Sequence, residues 1–334
     1  MAASIKDVAR EAGVSIATVS RVLNDVDVVN DETKKKVMDA IKKLGYRPNI
    51  VARSLKTQKT KTIGIVIPDI SSAFYPEIVR GAEDVANIYN YNIILCNTDL
   101  DSEKEKEYLR VLKEKMVDGI IYMSNSLADE ILELTRELDL PTVLVETTDL
   151  NKTFPSVTID NIKAAYDATS YLIKKGNKNI AYFGPPRNII NASASRYKGY
   201  EEALVDNGLA INENLVVAGG LKAKDAENYI EKLEENNALK DVDAIFCSTD
   251  ELAMGVINNL RERGINVPKD VDIVSFDNTY TSSIFYPKLT TINQPTYDMG
   301  SVGMRMLIKI INKKPIDVTQ YVLPYELIER DSCK

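Results

Sequence analysis

The spacing of apolar positions changes once along the chain. Before residue 61 it is helical: Val8, Ala9 and Ala12 share a face in IKDVAREA, as do Val19, Val22 and Leu23 in IATVSRVLN, and Val37, Ile41 and Leu44 between residues 31 and 44. Ser4 and Ser15 stand where the first two helices need an N-cap, and Gly13 can take the positive φ that ends the first. Helix, glycine turn, capped helix predicts a helix-turn-helix, closed by the third helix into a small core. With Val19, Val22 and Leu23 turned inward, Ile16, Ala17, Ser20 and Arg21 face out. From Thr62 the period becomes that of buried strands: IGIVIP, NIILCN, GIIYMS, TVLVE, NIAYFG, AIFCSTD and DIVSF alternate with amphipathic stretches. Short Ile/Val-rich runs followed by helices predict parallel sheets covered on both faces. The runs form two sets, 62–160 and 161–290. The fold class expected is α/β, with two doubly wound parallel sheets behind an N-terminal all-α helix-turn-helix domain.

Composition narrows the chemistry. A chain of 334 residues, 44% hydrophobic and 27% charged, has enough apolar material for a folded multidomain protein. It contains no histidine, which excludes Ser-His-Asp and Cys-His nucleophile systems, His-ligated metals and a His proton switch. The three cysteines, Cys96, Cys247 and Cys333, are odd in number and too dispersed for a metal motif, so they read as reduced thiols. No apolar run reaches the length of a membrane span and the amino terminus is charged, so a cytoplasmic protein is expected. Neither G-x-G-x-x-G nor G-x-x-x-x-G-K-[ST] occurs; no cofactor is expected, and no enzyme.

Charge is divided unevenly. Residues 1–61 carry 13 Lys and Arg against 7 Asp and Glu, a charge of +6, whereas the remainder carries 29 against 42, a charge of −13. A basic module on an acidic body is the asymmetry expected when one end meets phosphate. A solvated basic face on an ordinary three-helix bundle is the competing reading, and Arg21 on the outward face weighs against it.

The words IKDVAREAGVSIATVSRVLN and YRPNIVARSLKTQKTKTIGIVIPDI resemble the amino-terminal signature of the lactose-repressor (LacI/GalR) family. That resemblance implies a second helix lying in the major groove, with Arg21 bonding a guanine, Ile16 and Ala17 offering apolar contact to a thymine methyl, and Ser15 and Thr18 holding phosphates. It implies a hinge helix over NIVARSL, too short to be stable alone, that orders on double-stranded operator DNA and pairs across a homodimer. Leu55 stands where the family wedges a leucine into the minor groove, with Asn49, Ala52 and Lys56 beside it. The implied organisation is a DNA-binding domain at 1–48, hinge and linker at 49–61, and a two-lobed core resembling periplasmic binding proteins. The N-subdomain would span 62–160 plus 291–325 and the C-subdomain 161–290, with crossovers at LTTI and around Val157.

In open α/β sheets ligands sit beyond the carboxyl ends of strands, which singles out Asp69, Ser124, Asp160, Asp250 and Asp277. Arg196, in SRYKGY, adds a cation. Hydroxyl-binding groups with one arginine suit a sugar or sugar-phosphate effector, while Asp69, Asp250 and Asp277 could equally cap the next helix. Near the carboxyl terminus, PKLTTINQPTYDMGSVGMRMLIKIINKKP resembles the family branch that governs carbon catabolite control in low-GC Gram-positive bacteria. The resemblance implies serine-phosphorylated HPr as corepressor, meeting Tyr297, Asp298, Val302, Arg305 and Lys309. Asp298 is placed to cap a helix on which Arg305 and Lys309 fall at i, i+4 beside Val302, two cations that could receive a phosphoserine. A merely solvated Lys/Arg face is the plainer alternative. Gly303 replaces an expected alanine, Asn30 and Asp31 replace a serine cap, and residues 187–195 match the family poorly. The remaining alternatives are a local repressor released by a sugar, and an enzyme or solute-binding core with an appended domain.

Overall fold

The computed structural model describes residues 3–23, 29–46, 59–124, 127–149, 151–187 and 191–334. The chain divides into two compact units, Met1–Thr60 and Lys61–Lys334.

The first unit holds three helices: α1 (Ile5–Ala12), α2 (Ile16–Leu23) and α3 (Asp31–Leu44). Ser4 and Asp7 form a reciprocal capping box on α1, and Gly13 ends it at φ 66°, a left-handed position cheap only for glycine. Asn30 does the work of the missing serine: its Oδ1 accepts from the Thr33 amide at 2.8 Å. Val8, Ala9, Val19, Val22, Val37 and Ala40 make the core, with Leu23, Ile41 and Leu44 packed half-buried at its rim. Lys43 of α3 pairs with Glu11 of α1 at 2.5 Å.

The second unit contains two six-stranded sheets. The first comprises β1 (Thr62–Ile67), β2 (Asn92–Asn97), β3 (Gly119–Tyr122), β4 (Thr142–Val145), β5 (Ser156–Ile159) and β11 (Gln320–Leu323), in the order β11-β5-β4-β3-β1-β2, all parallel. The second comprises β6 (Ile180–Gly184), β7 (Val216–Ala218), β8 (Ala244–Cys247), β9 (Asp272–Asp277), β10 (Thr290–Asn293) and β12 (Glu326–Ile328), in the order β12-β10-β9-β8-β6-β7. Only β12 runs antiparallel. Around them lie α4 (Tyr75–Ile88), α5 (Ser102–Glu114), α6 (Asp129–Glu137), α7 (Asn161–Lys174), α8 (Ala192–Asp206), α9 (Ala226–Glu235), α10 (Asp250–Glu262) and α11 (Thr296–Ile311). The central strands β1, β3, β4, β6, β8 and β9 are almost wholly buried, as parallel strands covered on both faces must be, whereas the edge strands β2, β7, β11 and β12 are partly exposed.

The expected two-lobed architecture is therefore present, with the boundary expected after 290 falling at 294–295. LTTI is not a crossover into the first lobe: β10 pairs with β9 and completes the second sheet, because apolar alternation marks a strand without naming its neighbour. The crossover expected around Val157 follows directly on strand β5 (Ser156–Ile159), which is seated between β4 and β11. The chain crosses between lobes at 160, at 294–295 and at 324–325, and the last crossing returns it to the second lobe through β12.

Each lobe is braced by a helix pair at glycine contacts. A Cβ on Gly81 of α4 would collide with the Tyr297 carbonyl of α11, and one on Gly300 would collide with the Ile78 carbonyl. In the second lobe Gly199 of α8 meets the Ile162 carbonyl of α7 in the same way. Among the described residues, no helix is long and apolar enough to cross a membrane.

Candidate functional site

Helix α2 is opened by Ser15, whose Oγ accepts from the Thr18 amide at 3.1 Å and lies 2.9 Å from the Thr18 hydroxyl. The cap fixes the direction in which the helix leaves the turn. Ile16, Ala17 and Arg21 are exposed on its outer face, Ile16 to 45%, an unusual position for a large aliphatic side chain. Among the described residues no carboxylate pairs with Arg21. Asn49, Ala52, Leu55 and Lys56 lie outside the described residues.

Residues at the carboxyl ends of strands from both lobes meet at Arg196 of α8. Its side chain is almost wholly buried, with Nε donating to Asn161 Oδ1 at 3.0 Å and Nη1 to the Ser248 carbonyl at 2.5 Å. The guanidinium lies 3.7 Å from the centroid of the Phe276 ring. Asp277 of the second lobe approaches it at 3.7 Å and Glu146 of the first lobe at 3.9 Å. Both acids occupy left-handed backbone, at φ 110° for Asp277 and φ 69° for Glu146. Strain of this kind, about 1–3 kcal/mol per residue, persists only where the surroundings enforce it.

The two acids share one cation. Burial pushes the Glu146 carboxyl up to about 7, against the pull of Arg196. Asp277 is also raised, well above the carboxylate range, chiefly by burial, with Arg196 and a 2.8 Å hydrogen bond from Gln294 Nε2 opposing. The ion pairs would hold both charges; we take burial as dominant for Glu146 because 3.9 Å is too long for a direct hydrogen bond. Two buried polar atoms here, Ser248 Oγ and Gln294 Oε1, have no hydrogen-bond partner among the described residues. The set presents donors and acceptors in close order and suits a polyhydroxylated ligand.

Of the six effector candidates singled out from sequence, five strand-end residues and Arg196, only Arg196 and Asp277 adjoin. Asp69 lies apart from them, 2.5 Å from Lys222 of the second lobe. Ser124 donates to Glu105 at 3.0 Å inside the first lobe. Asp160 caps α7 through the Lys163 amide at 2.9 Å. Asp250 accepts from Ser275, Thr291 and Thr279 at 2.6–2.9 Å, an internal scaffold, while Thr249 caps α10 in its place. Glu146, Ser248 and Gln294 were missed. Glu146 closes TVLVE, so the strand-end rule reaches it; nothing local in sequence marks the other two.

On α11, Tyr297, Asp298, Arg305 and Lys309 are exposed and Val302 is half-buried, with Asp298, Val302, Arg305 and Lys309 at i, i+4, i+7 and i+11 on one stripe. Asp298 is not the cap: Pro295 occupies that position, and the acid lies in the first turn where it complements the helix dipole. Tyr297 donates to Asp84 of α4 at 3.0 Å, and Arg80 pairs with Asp84 at 3.4 Å. Lys309 faces Asp317 at 3.7 Å, while no carboxylate of the described residues pairs with Arg305.

A capped helix-turn-helix ahead of a two-lobed α/β core is the architecture of a DNA-binding transcription regulator. The family model of bacterial regulatory proteins of the lacI family matches residues 4–49, and that of periplasmic binding proteins and the sugar-binding domain of the LacI family matches residues 60–330. The chain belongs to the LacI family. It is 72% identical to the HTH-type transcriptional regulator RegA of Clostridium acetobutylicum, over the whole of both chains. It is 45% identical to catabolite control protein A of Priestia megaterium, again over both full lengths. The crystal structure of the transcription regulator CcpA of Lactococcus lactis superposes with a TM-score of 0.77 at 38% identity, covering 82% of this chain and 99% of that one.

Proposed function

We propose that this LacI-family regulator acts in carbon catabolite control, binding pseudo-palindromic operators as a homodimer with serine-phosphorylated HPr as corepressor. The observation that carries the reading is the stripe on α11, where Arg305 stands exposed without a carboxylate partner among the described residues, next to half-buried Val302. An exposed unpaired guanidinium beside an apolar patch receives a phosphoserine by charge-assisted, bidentate bonds. Identity to catabolite control protein A over the full chain supports it. On DNA, Arg21 bonds a guanine, Ile16 and Ala17 meet thymine methyls, Ser15 and Thr18 hold phosphates, and the segment of Asn49, Ala52, Leu55 and Lys56 enters the minor groove.

The test is a mobility-shift titration on a duplex with two half-sites and a central CG step, with and without serine-phosphorylated HPr. The partner is expected to tighten binding by the parent chain and to have no effect on Arg305→Glu, a loss of about 2–5 kcal/mol in coupling. Unaided operator affinity should stay the same in both, because the substitution lies on the core. A second reading, a local repressor released by a sugar, is favoured by the unpartnered Ser248 Oγ and Gln294 Oε1 in the cleft. With Glu146 and Asp277 set against one arginine, a neutral sugar fits that cleft better than a sugar phosphate.

A further inference from the structure

A second inter-lobe contact stands apart from the Arg196 cluster. Lys222 Nζ lies 2.5 Å from Asp69 Oδ2 and 3.4 Å from Ser71 Oγ. Each half is built within its own lobe. In the first lobe Asp69 follows β1, and its Oδ1 accepts from the Ser71 amide at 2.8 Å and the Ser71 hydroxyl at 2.7 Å, leaving Oδ2 for the lysine. In the second lobe Lys222 ends a loop that follows β7. Its amide donates to Asp225 at 3.0 Å, Tyr229 donates to the Gly220 carbonyl at 2.9 Å, and Thr249 donates to the Leu221 carbonyl at 3.0 Å. A Cβ on Gly220 would run into the Asp225 carboxylate and one on Gly219 would press on the Tyr229 ring, so the loop is held closely on both sides. A lysine on so rigid a loop loses less freedom on pairing than an ordinary surface lysine does.

We propose that Lys222 and Asp69 form a latch that holds the two lobes together, and that cleft ligands reach Arg196 only when it opens. The three crossovers at 160, 294–295 and 324–325 are the pivots about which the lobes separate. Lys222 and Ser71 hold the Asp69 carboxyl below its ordinary range despite the cost of burial, so the latch stays charged at neutral pH and responds to salt rather than to protons. An effector must then bind the open form, and its apparent affinity is reduced by the fraction of molecules in that form.

Hydrogen exchange on the full chain tests this. Peptides covering 68–74 and 219–225 report the two lobes separately. Lys222→Ala is expected to speed exchange roughly tenfold in both peptides, the size of a lost charged hydrogen bond, and Lys222→Arg to restore the parent rates. A lysine that only steadies its own loop would speed 219–225 alone, and that result overturns the latch. A salt series on the parent chain gives a second reading free of any folding defect in the variants. Exchange at 68–74 should rise between low and molar salt, and an unchanged rate there overturns the proposal equally.

Discussion

The Arg196 cluster and the α11 stripe both bring cations and anions together, and they differ in the cost of doing so. Around Arg196 every charge is buried, two carboxylates share one guanidinium, and both sit on left-handed backbone. On α11 the charges are exposed, the helix is regular, and Tyr297, Asp84 and Arg80 form a loose surface network. Buried charges are energetically tied to folding, so a ligand that alters them acts on the whole core. Exposed charges contribute little to stability, which leaves Arg305 available to a partner. Under the proposed function, the first would be a sensor wired into the fold and the second one attached to the surface.

The comparison breaks first at Arg196. Arg196→Ala removes the buried guanidinium together with its hydrogen bonds to Asn161 and the Ser248 carbonyl and should destabilise the core by about 3–5 kcal/mol, read from the urea midpoint. Arg305→Glu, by contrast, should hold that midpoint to within about 0.5 kcal/mol. Equal losses from the two substitutions would remove the distinction.

Proton dependence sharpens it. Glu146 titrates in the folded chain near 7 instead of its ordinary 4.5, so folding favours the protonated form. Its contribution is complete below about 4.5 and is lost as pH rises through 7, and raised Asp277 adds the same sign. Core stability should therefore fall between pH 5 and pH 8 by about 1–3 kcal/mol more in the parent than in Glu146→Gln. Denaturant titrations at several pH values measure the difference, and parallel curves would mean that burial does not govern this carboxyl.

Which parts could be read from sequence follows from how local each signal is. The helix-turn-helix was legible to within a residue, since Ser4, Ser15 and Gly13 act on their own neighbours. Alternation of strand and helix revealed both lobes. The pairing of β10 with β9 was not legible, because Thr290 and Thr291 choose their sheet through contacts distant in sequence, to Arg330 and Asp250. The same holds for the cleft. Arg196 and Asp277 were found, but Glu146 meets them only because the two lobes close on each other, and Gln294 only because the chain crosses lobes there. Strand β7, three residues at a sheet edge, is too short for any periodicity to show.

The smallest expected effect lies in the first unit. Ser15→Ala removes the cap of α2 and should cost that unit about 1 kcal/mol while leaving the core transition where it is. Separate melts of the two units followed by circular dichroism check this, and a shift of the core transition would contradict it.

Which sensor governs the operator is decided by one measurement, the operator affinity of the full chain by fluorescence anisotropy on the two-half-site duplex. It is made alone, with HPr, with serine-phosphorylated HPr, and with a panel of neutral sugars. The account predicts that phosphorylated HPr alone tightens binding and that unphosphorylated HPr leaves it unchanged. An unchanged affinity with phosphorylated HPr, together with weakening by a sugar, would contradict it and place control in the cleft.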